Sequence, residues 1–163
     1  MTIGTFDGVH FGHQKIIERL VFEAKKAKKK SFLLTFFPHP RMVLQKDASI
    51  ELINTIDERA SLLEKTGLDY LIIHPFSKAF SRTSAFEFVR DILVNQLNIS
   101  KLIIGYDHHF GKNREGNITQ LTEYSHLYDF NVEEIPAQDI DDVSVSSTKI
   151  RKALHLGNLK TAN

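Results

Sequence analysis

GTFDGVHFGH, residues 4–13, joins a short β-prone stub at Thr2 and Ile3 to an amphipathic helix. The stretch contains Gly4, Gly8 and Gly12 together with His10 and His13. Glycines in such a turn let a bulky anion approach the backbone. The helix N-terminus behind them offers unpaired N–H groups and the positive end of the helix dipole to a phosphate. The imidazoles add one or two donors beside the same group. This is the pattern of a nucleoside-triphosphate site built without a P-loop.

Outward from this turn the chain alternates strands and helices. Thr2 to Phe6 reads as a first strand and Gly12 to about Lys29 as a helix, with Ile16, Ile17, Leu20, Val21 and Ala24 on one face. Ser31 to Phe37 is a continuous apolar run, as in a strand buried on both faces. A polar loop is expected from Pro38 to Asn54. Capping boxes at Thr55/Glu58 and Ser84/Glu87 open two helices, the first stopping at Gly67 and the second running to about Leu97. Asp69 to His74, Lys101 to Gly105 and Phe130 to Ile135 complete the strands. Asn117 to about Tyr128 and Ser146 to Leu156 complete the helices. The alternation predicts an α/β fold: a Rossmann-like, doubly wound, five-stranded parallel sheet with helices on both faces. On this map His10, His13, His39, His74, His108 and His109 fall at carboxyl ends of strands, where open parallel sheets bind ligands.

A chain of 163 residues is one domain by length, and its 42% hydrophobic and 25% charged residues are ordinary for a globular protein. A net charge of +1 supplies no field to recruit nucleic acid or a membrane surface. No apolar run reaches the length of a membrane span and no signal peptide is visible, so the cytoplasm is the expected location. The absence of cysteine excludes disulfides, thiolate nucleophiles and Cys-based zinc sites. The basic run Lys25 to Lys30 sits at a helix C-terminus, where cations complement the dipole, and reads as a solvated helix end. Asp139, Asp141 and Asp142 read as a solvated loop.

Other nucleotide motifs fail. There is no G-x-G-x-x-G. Gly105 to Asn113, GYDHHFGKN, departs from a Walker A in its glycine spacing, and Asn113 stands where Ser or Thr should hold magnesium. His10 and His13 have no acidic or cysteine partner, and the adjacent His108 and His109 point apart in most conformations, so no metal site is assigned. A second phosphate-binding candidate is SSTKIR, with Ser146, Ser147, Thr148 and Arg151 opening the last helix. One hydroxyl is explained as a cap. The others, with Arg151 one turn on, converge on a phosphate chain. Asp7 reads either as a ligand or as a brace for the glycine turn.

Taken together these motifs resemble the FMN adenylyltransferase module of prokaryotic FAD synthetases, within the HxGH nucleotidylyltransferases. The HxGH element is His10, Phe11, Gly12 and His13. TFFPHP (Thr35 to Pro40) is similar to the family's TFxPHP loop, GYDHHFG (Gly105 to Gly111) to its GxDFxFG segment, and VSSTKIR (Val145 to Arg151) to its ISSTxIR. His108 replaces the usual Phe, leaving Phe110 as the aromatic of that loop.

The resemblance implies transfer of AMP from ATP to FMN, giving FAD and pyrophosphate, with Mg2+ accompanying ATP. It implies His10, His13 and Arg151 as catalytic groups. Gly4, Phe6, Gly8, Gly12, Gly105, Asp107, Ser147, Thr148 and Arg151 would contact ATP. Phe37, His39, Pro40, Asp107 and Phe110 would contact FMN. ATP and FMN are the expected partners, with neither nucleic acid nor membrane. Competing readings are a sister enzyme using another phosphate acceptor and a non-catalytic flavin- or nucleotide-binding module. In bacteria the module is usually followed by a riboflavin kinase β-barrel. Residues 1–163 are expected to be a single adenylyltransferase domain, with that kinase domain absent from the chain, which is either a stand-alone module or a fragment of a full-length bifunctional protein that carries it. Such a chain is expected to convert FMN to FAD without phosphorylating riboflavin.

Overall fold

The computed structural model describes residues 1–45, 50–136 and 146–162. The first half runs β1 (Thr2–Ile3), α1 (Phe11–Lys26), β2 (Phe32–Phe37), α2 (Pro40–Leu44), α3 (Ile56–Glu64) and β3 (Tyr70–Pro75). The second runs α4 (Ala85–Glu87), β4 (Lys101–Gly105), α5 (Ile118–Tyr128), β5 (Asn131–Ile135), α6 (Ser147–His155) and α7 (Leu159–Ala162). The expected alternation holds, and both capping boxes form: Thr55 and Glu58 open α3, and Ser84 and Glu87 open α4.

All strand pairing is parallel, in two sheets: β1-β2-β3 and β4-β5. The single five-stranded ladder read from the sequence is therefore found as three strands plus two. The reason is the brevity of β1, whose two residues both pair with Leu33 and Leu34 of β2. Toward β4 the chain makes two bonds at Met1. Its amino group donates to the carbonyl of Lys101 at 2.6 Å, and the amide of Ile103 donates to its carbonyl at 2.8 Å.

Alternation along the strands sorts side chains to two faces. In β2, Leu34 joins a core with Ile3, Leu102, Ile104, Phe88, Val89, Leu93 and Leu121, under α4 and α5. Its neighbour Leu33 joins Phe6, Val9, Ile17, Val21 and Leu63, under α1 and α3. In β4, Ile103 faces Leu20 and Ile135 while its neighbours face the first core. Burial on both faces explains why β2 and β4 read as unbroken apolar runs.

Two local features differ from expectation. The loop after β2 contains α2, capped by the His39 ring, whose Nδ1 accepts from the Arg41 amide at 3.2 Å. The helix opened by Ser84 passes at Phe88–Gln96 into π-helical turns, with Leu97 N–H donating to the carbonyl of Ile92.

Candidate active site

The turn between β1 and α1 is strained. Phe6 and Val9 have φ of 48° and 39°, in the left-handed region that branched and bulky residues avoid. Both side chains are buried in the core shared with Ile17, Val21 and Leu33, which holds the turn in this shape. Val9 N–H donates to Phe6 O at 3.1 Å, and Gln14 Nε2 donates to Val9 O at 3.0 Å. Gly8, with φ of 86°, lies where an added Cβ would meet Ile53 Cδ1 at 2.8 Å. Backbone strain over-determined by packing clusters at functional sites.

The turn delivers the two histidines to the start of α1. His10 is the N-cap, its Nδ1 accepting from the His13 amide at 3.4 Å. The two rings stack, and Phe6 leans on His13 with centroids 4.8 Å apart. Burial holds His10 below its ordinary pKa, against the opposing pull of Asp7. It pushes His13 well below, helped by the charges of His10 and Arg59. Both imidazoles are thus neutral at pH 7, each with one N–H to give. The Nδ1 of His13 is buried with no partner among the described residues.

Asp7 is fully buried and ties three segments together. Its carboxylate accepts from the amides of Ile53 at 3.1 Å and Asn54 at 3.3 Å, from Arg59 at 3.5 Å, and from Nη2 of Arg151 at 2.6 Å. Its carbonyl accepts from the Ser147 hydroxyl at 2.9 Å. The N-terminus of α6 is therefore pinned beside the Gly4–His13 turn. Of the hydroxyls there, Ser146 caps α6 by accepting from the Lys149 amide, and Thr148 is exposed. His39 is buried in the same neighbourhood. Burial and then the charge of Arg151 lower its pKa to about 4.

The structure thus brings together Gly4, Phe6, Gly8, Gly12, His10, His13, His39, Ser147 and Arg151. Phe37 is exposed and Pro40 begins α2. The loop after β4 is organised by other contacts. Asp107 is exposed just beyond Gly105, the last residue of β4. Phe110 is 9% exposed, packs on Phe88 and bridges to Gly116, so its ring belongs to the core. His108 lies near Phe110, and burial pushes its pKa down to about 4. Among the described residues no group of three or more His, Asp or Glu is placed to hold a metal ion. Asp139, Asp141, Asp142 and Val145 lie outside the described residues.

Sequence reasoning missed Arg59, which is 1% exposed. A signal existed. Arg59 lies four residues before the buried Leu63, so the helical period places a cation on the inward stripe of α3.

A chain with HxGH on a strained strand–helix turn, and a Ser-Thr-Arg helix start pinned to that turn, invites comparison with known proteins. Residues 1–149 match the FAD synthetase family. This chain belongs to that family. A bifunctional riboflavin kinase/FMN adenylyltransferase of Buchnera aphidicola (subsp. Acyrthosiphon pisum) is 35% identical over 100% of this chain and 52% of the relative. The Escherichia coli K12 protein of that description is 32% identical over 99% and 52%. A Listeria monocytogenes FAD synthetase is 34% identical over 99% of this chain and 65% of the relative. The chain thus spans about half the length of the bifunctional relatives it matches. A solved structure described as a macrolide-efflux protein from Streptococcus pneumoniae superposes with a TM-score of 0.86 at 28% identity. That match covers 99% of this chain and 54% of the other. Among the described residues no helix is long and apolar enough to cross a membrane.

Proposed function

We propose that residues 1–163 act as one FMN adenylyltransferase domain, transferring AMP from ATP to FMN. The observation that carries this reading is the 2.6 Å bond from Arg151 to Asp7, which holds the α6 start against the histidine turn. Two helix N-termini and a guanidinium then converge where a triphosphate would lie. The family's description and the names of the bifunctional relatives support FMN as the acceptor.

No protein nucleophile is required. An oxygen of the FMN phosphate attacks the α-phosphorus of ATP, and the bond to the β-phosphate bridging oxygen breaks as pyrophosphate leaves. The protein's work is alignment and stabilisation of charge growing on the phosphate oxygens. His10 and His13, held neutral, donate N–H bonds to those oxygens. Ser147, Thr148 and Arg151 hold the β- and γ-phosphates. Gly4, Phe6, Gly8 and Gly12 form the floor of the ATP site, and Gly105 and Asp107 border its nucleoside. Phe37, His39 and Pro40 flank the flavin, with Asp107 on the opposite loop and the Phe110 ring in the core beneath it. Magnesium enters on the triphosphate, and no side chain is assigned to it.

We further read the two sheets as one working unit, in the order β3-β2-β1-β4-β5. The hydrogen bond from Ile103 to Met1 supports it. That order reverses direction between β1 and β4, the position at which open α/β sheets bind nucleotides.

The deciding experiment offers the purified chain magnesium ATP with FMN, riboflavin, phosphopantetheine, nicotinate mononucleotide or glycerol phosphate. The expected result is FAD and pyrophosphate from FMN alone, with no FMN formed from riboflavin. Pyrophosphate release with another acceptor in place of FMN would make this a sister transferase. Binding of FMN and ATP without turnover would make it a binding module.

A further inference from the structure

Asp7, Arg59 and Arg151 form a buried cluster with an unequal charge count: one carboxylate between two guanidiniums, at 0%, 1% and 14% side-chain exposure. Arg59 is further fixed by a 2.9 Å bond from Nη1 to the carbonyl of Thr5. The Nε groups of both arginines are buried without a partner among the described residues. The titratable neighbours do not alter the count. His10, His13 and His39 all have lowered pKa values with burial as the leading cause, so all are neutral near pH 7.

A lone pair of Asp7 and Arg151 would be neutral. Its field would fall off as a dipole's does, and an arriving polyphosphate would compete with Asp7 for the same guanidinium. A second buried cation beside the same carboxylate changes this. The pair becomes a triad with one net positive charge, in surroundings where charges are poorly screened. Burying that surplus is costly unless a ligand answers it. An anion of several charges, docked at the α6 start, is such a ligand.

We propose that Arg59 is a positioning residue of the phosphate site: it offsets the charge of Asp7, so that Asp7 can orient Arg151 without cancelling its attraction for the polyphosphate of ATP. This rests on the adenylyltransferase reading for the identity of the ligand. The charge argument itself requires only a polyphosphate. Arg59 does not touch the ligand and acts through Asp7.

The test uses inorganic tripolyphosphate, bound to the whole chain and followed by calorimetry, alongside steady-state KM and kcat for FMN and magnesium ATP. Arg59→Met should weaken tripolyphosphate binding and raise the KM for ATP by about tenfold or more, the scale set by losing one poorly screened charge. The KM for FMN should change little. Arg59→Lys, which keeps the charge and loses the fork, should stay within about threefold of the parent for tripolyphosphate. The variant Asp7→Asn/Arg59→Met removes one charge of each sign and restores the surplus, so it should recover tripolyphosphate affinity relative to Arg59→Met. Should Arg59→Met fail to fold, Arg59→Lys and the double variant decide alone: loss of tripolyphosphate binding in either, once folded, overturns the proposal. A double variant that binds more weakly than Arg59→Met, or equal losses for ATP and FMN, would likewise show Arg59 to be a structural brace. If the parent binds tripolyphosphate but makes no FAD, the adenylyltransferase reading fails while the charge proposal stands to be judged on the binding data.

Discussion

The imidazoles of His10 and His13 stack face to face, with centroids 3.6 Å apart and an interplanar angle of 19°. Two rings this close cannot both carry charge without mutual repulsion, and burial further favours the neutral forms. They are therefore suited to donate hydrogen bonds to phosphate oxygens as uncharged groups. Alanine at either position is expected to lower kcat by roughly a hundred- to a thousandfold, about 2–4 kcal/mol, with a smaller effect on ATP affinity. The double variant should lose less than the product of the single losses, because each ring supports the other. Rapid-quench turnover with FMN and magnesium ATP checks this. Near-normal turnover in the double variant would remove both residues from the chemistry.

Arg151 ties α6 to Asp7 and, in the proposed site, faces the phosphates of ATP. Arg151→Ala is expected to weaken ATP and pyrophosphate binding by about tenfold or more, the range for a lost charge-assisted bond. FMN affinity should change little. Substitution at His39 should show the reverse pattern. Calorimetric titration with each ligand separates the cases. Equal damage to both ligands from Arg151→Ala would mark the arginine as structural.

Stability should depend on pH through His39 and His108. Burial lowers both pKa values to about 4 from an ordinary 6.5, with Arg151 adding to the effect at His39. The fold therefore favours the neutral rings, while the unfolded chain takes up protons first as pH falls. The contribution is complete above about pH 6.5 and is lost as pH drops toward 4, at about 1.4 kcal/mol per pH unit for each ring. Urea midpoints measured at pH 7.5 and pH 5 should differ accordingly. Replacing both histidines with glutamine should make that slope shallower, His10 and His13, also held low by burial, supplying the remainder, and an unchanged slope would place its origin elsewhere.

Gly111 is expected to tolerate no side chain. Its φ is 73°, and an added Cβ would meet the backbone nitrogen of Ala85 at 2.7 Å and its Cα at 2.8 Å. The obstacle is the first turn of a capped helix, which cannot step aside as a side chain can. Gly111→Ala should destabilise the fold by roughly 2–3 kcal/mol, combining strain and overpacking. Chemical denaturation checks the size, and a loss under 0.5 kcal/mol would show that α4 yields at this point.

The legible parts of the molecule were those governed by local rules. Thr55/Glu58 and Ser84/Glu87 announced their helices because a capping box is written within four residues. The apolar runs of β2 and β4 announced strands covered on both sides. The split of the sheet was not legible, because it depends on how few residues of β1 reach toward β4. Nor was α2, whose cap is a histidine ring in place of one of the usual short polar residues. At the site, GTFDGVHFGH and SSTKIR could be found separately as phosphate-binding patterns. What joins them could not. Asp7 meets Arg59 and Arg151 at separations of 52 and 144 residues, and nothing in the neighbourhood of any one of the three names the other two.

That last separation has a consequence for the order in which the site comes into being. The histidine turn leaves a ribosome well before Arg151, which follows Asp7 by 144 residues. Until α6 emerges, Asp7 has Arg59 but not Arg151, and the Ser147 hydroxyl has yet to reach its carbonyl. A nascent chain that already owns both histidines thus lacks the far wall of the proposed phosphate site. Such long-range closure is slow compared with the helices that precede it. Nucleotide can therefore stabilise the finished domain, but it has little to grip on the way there.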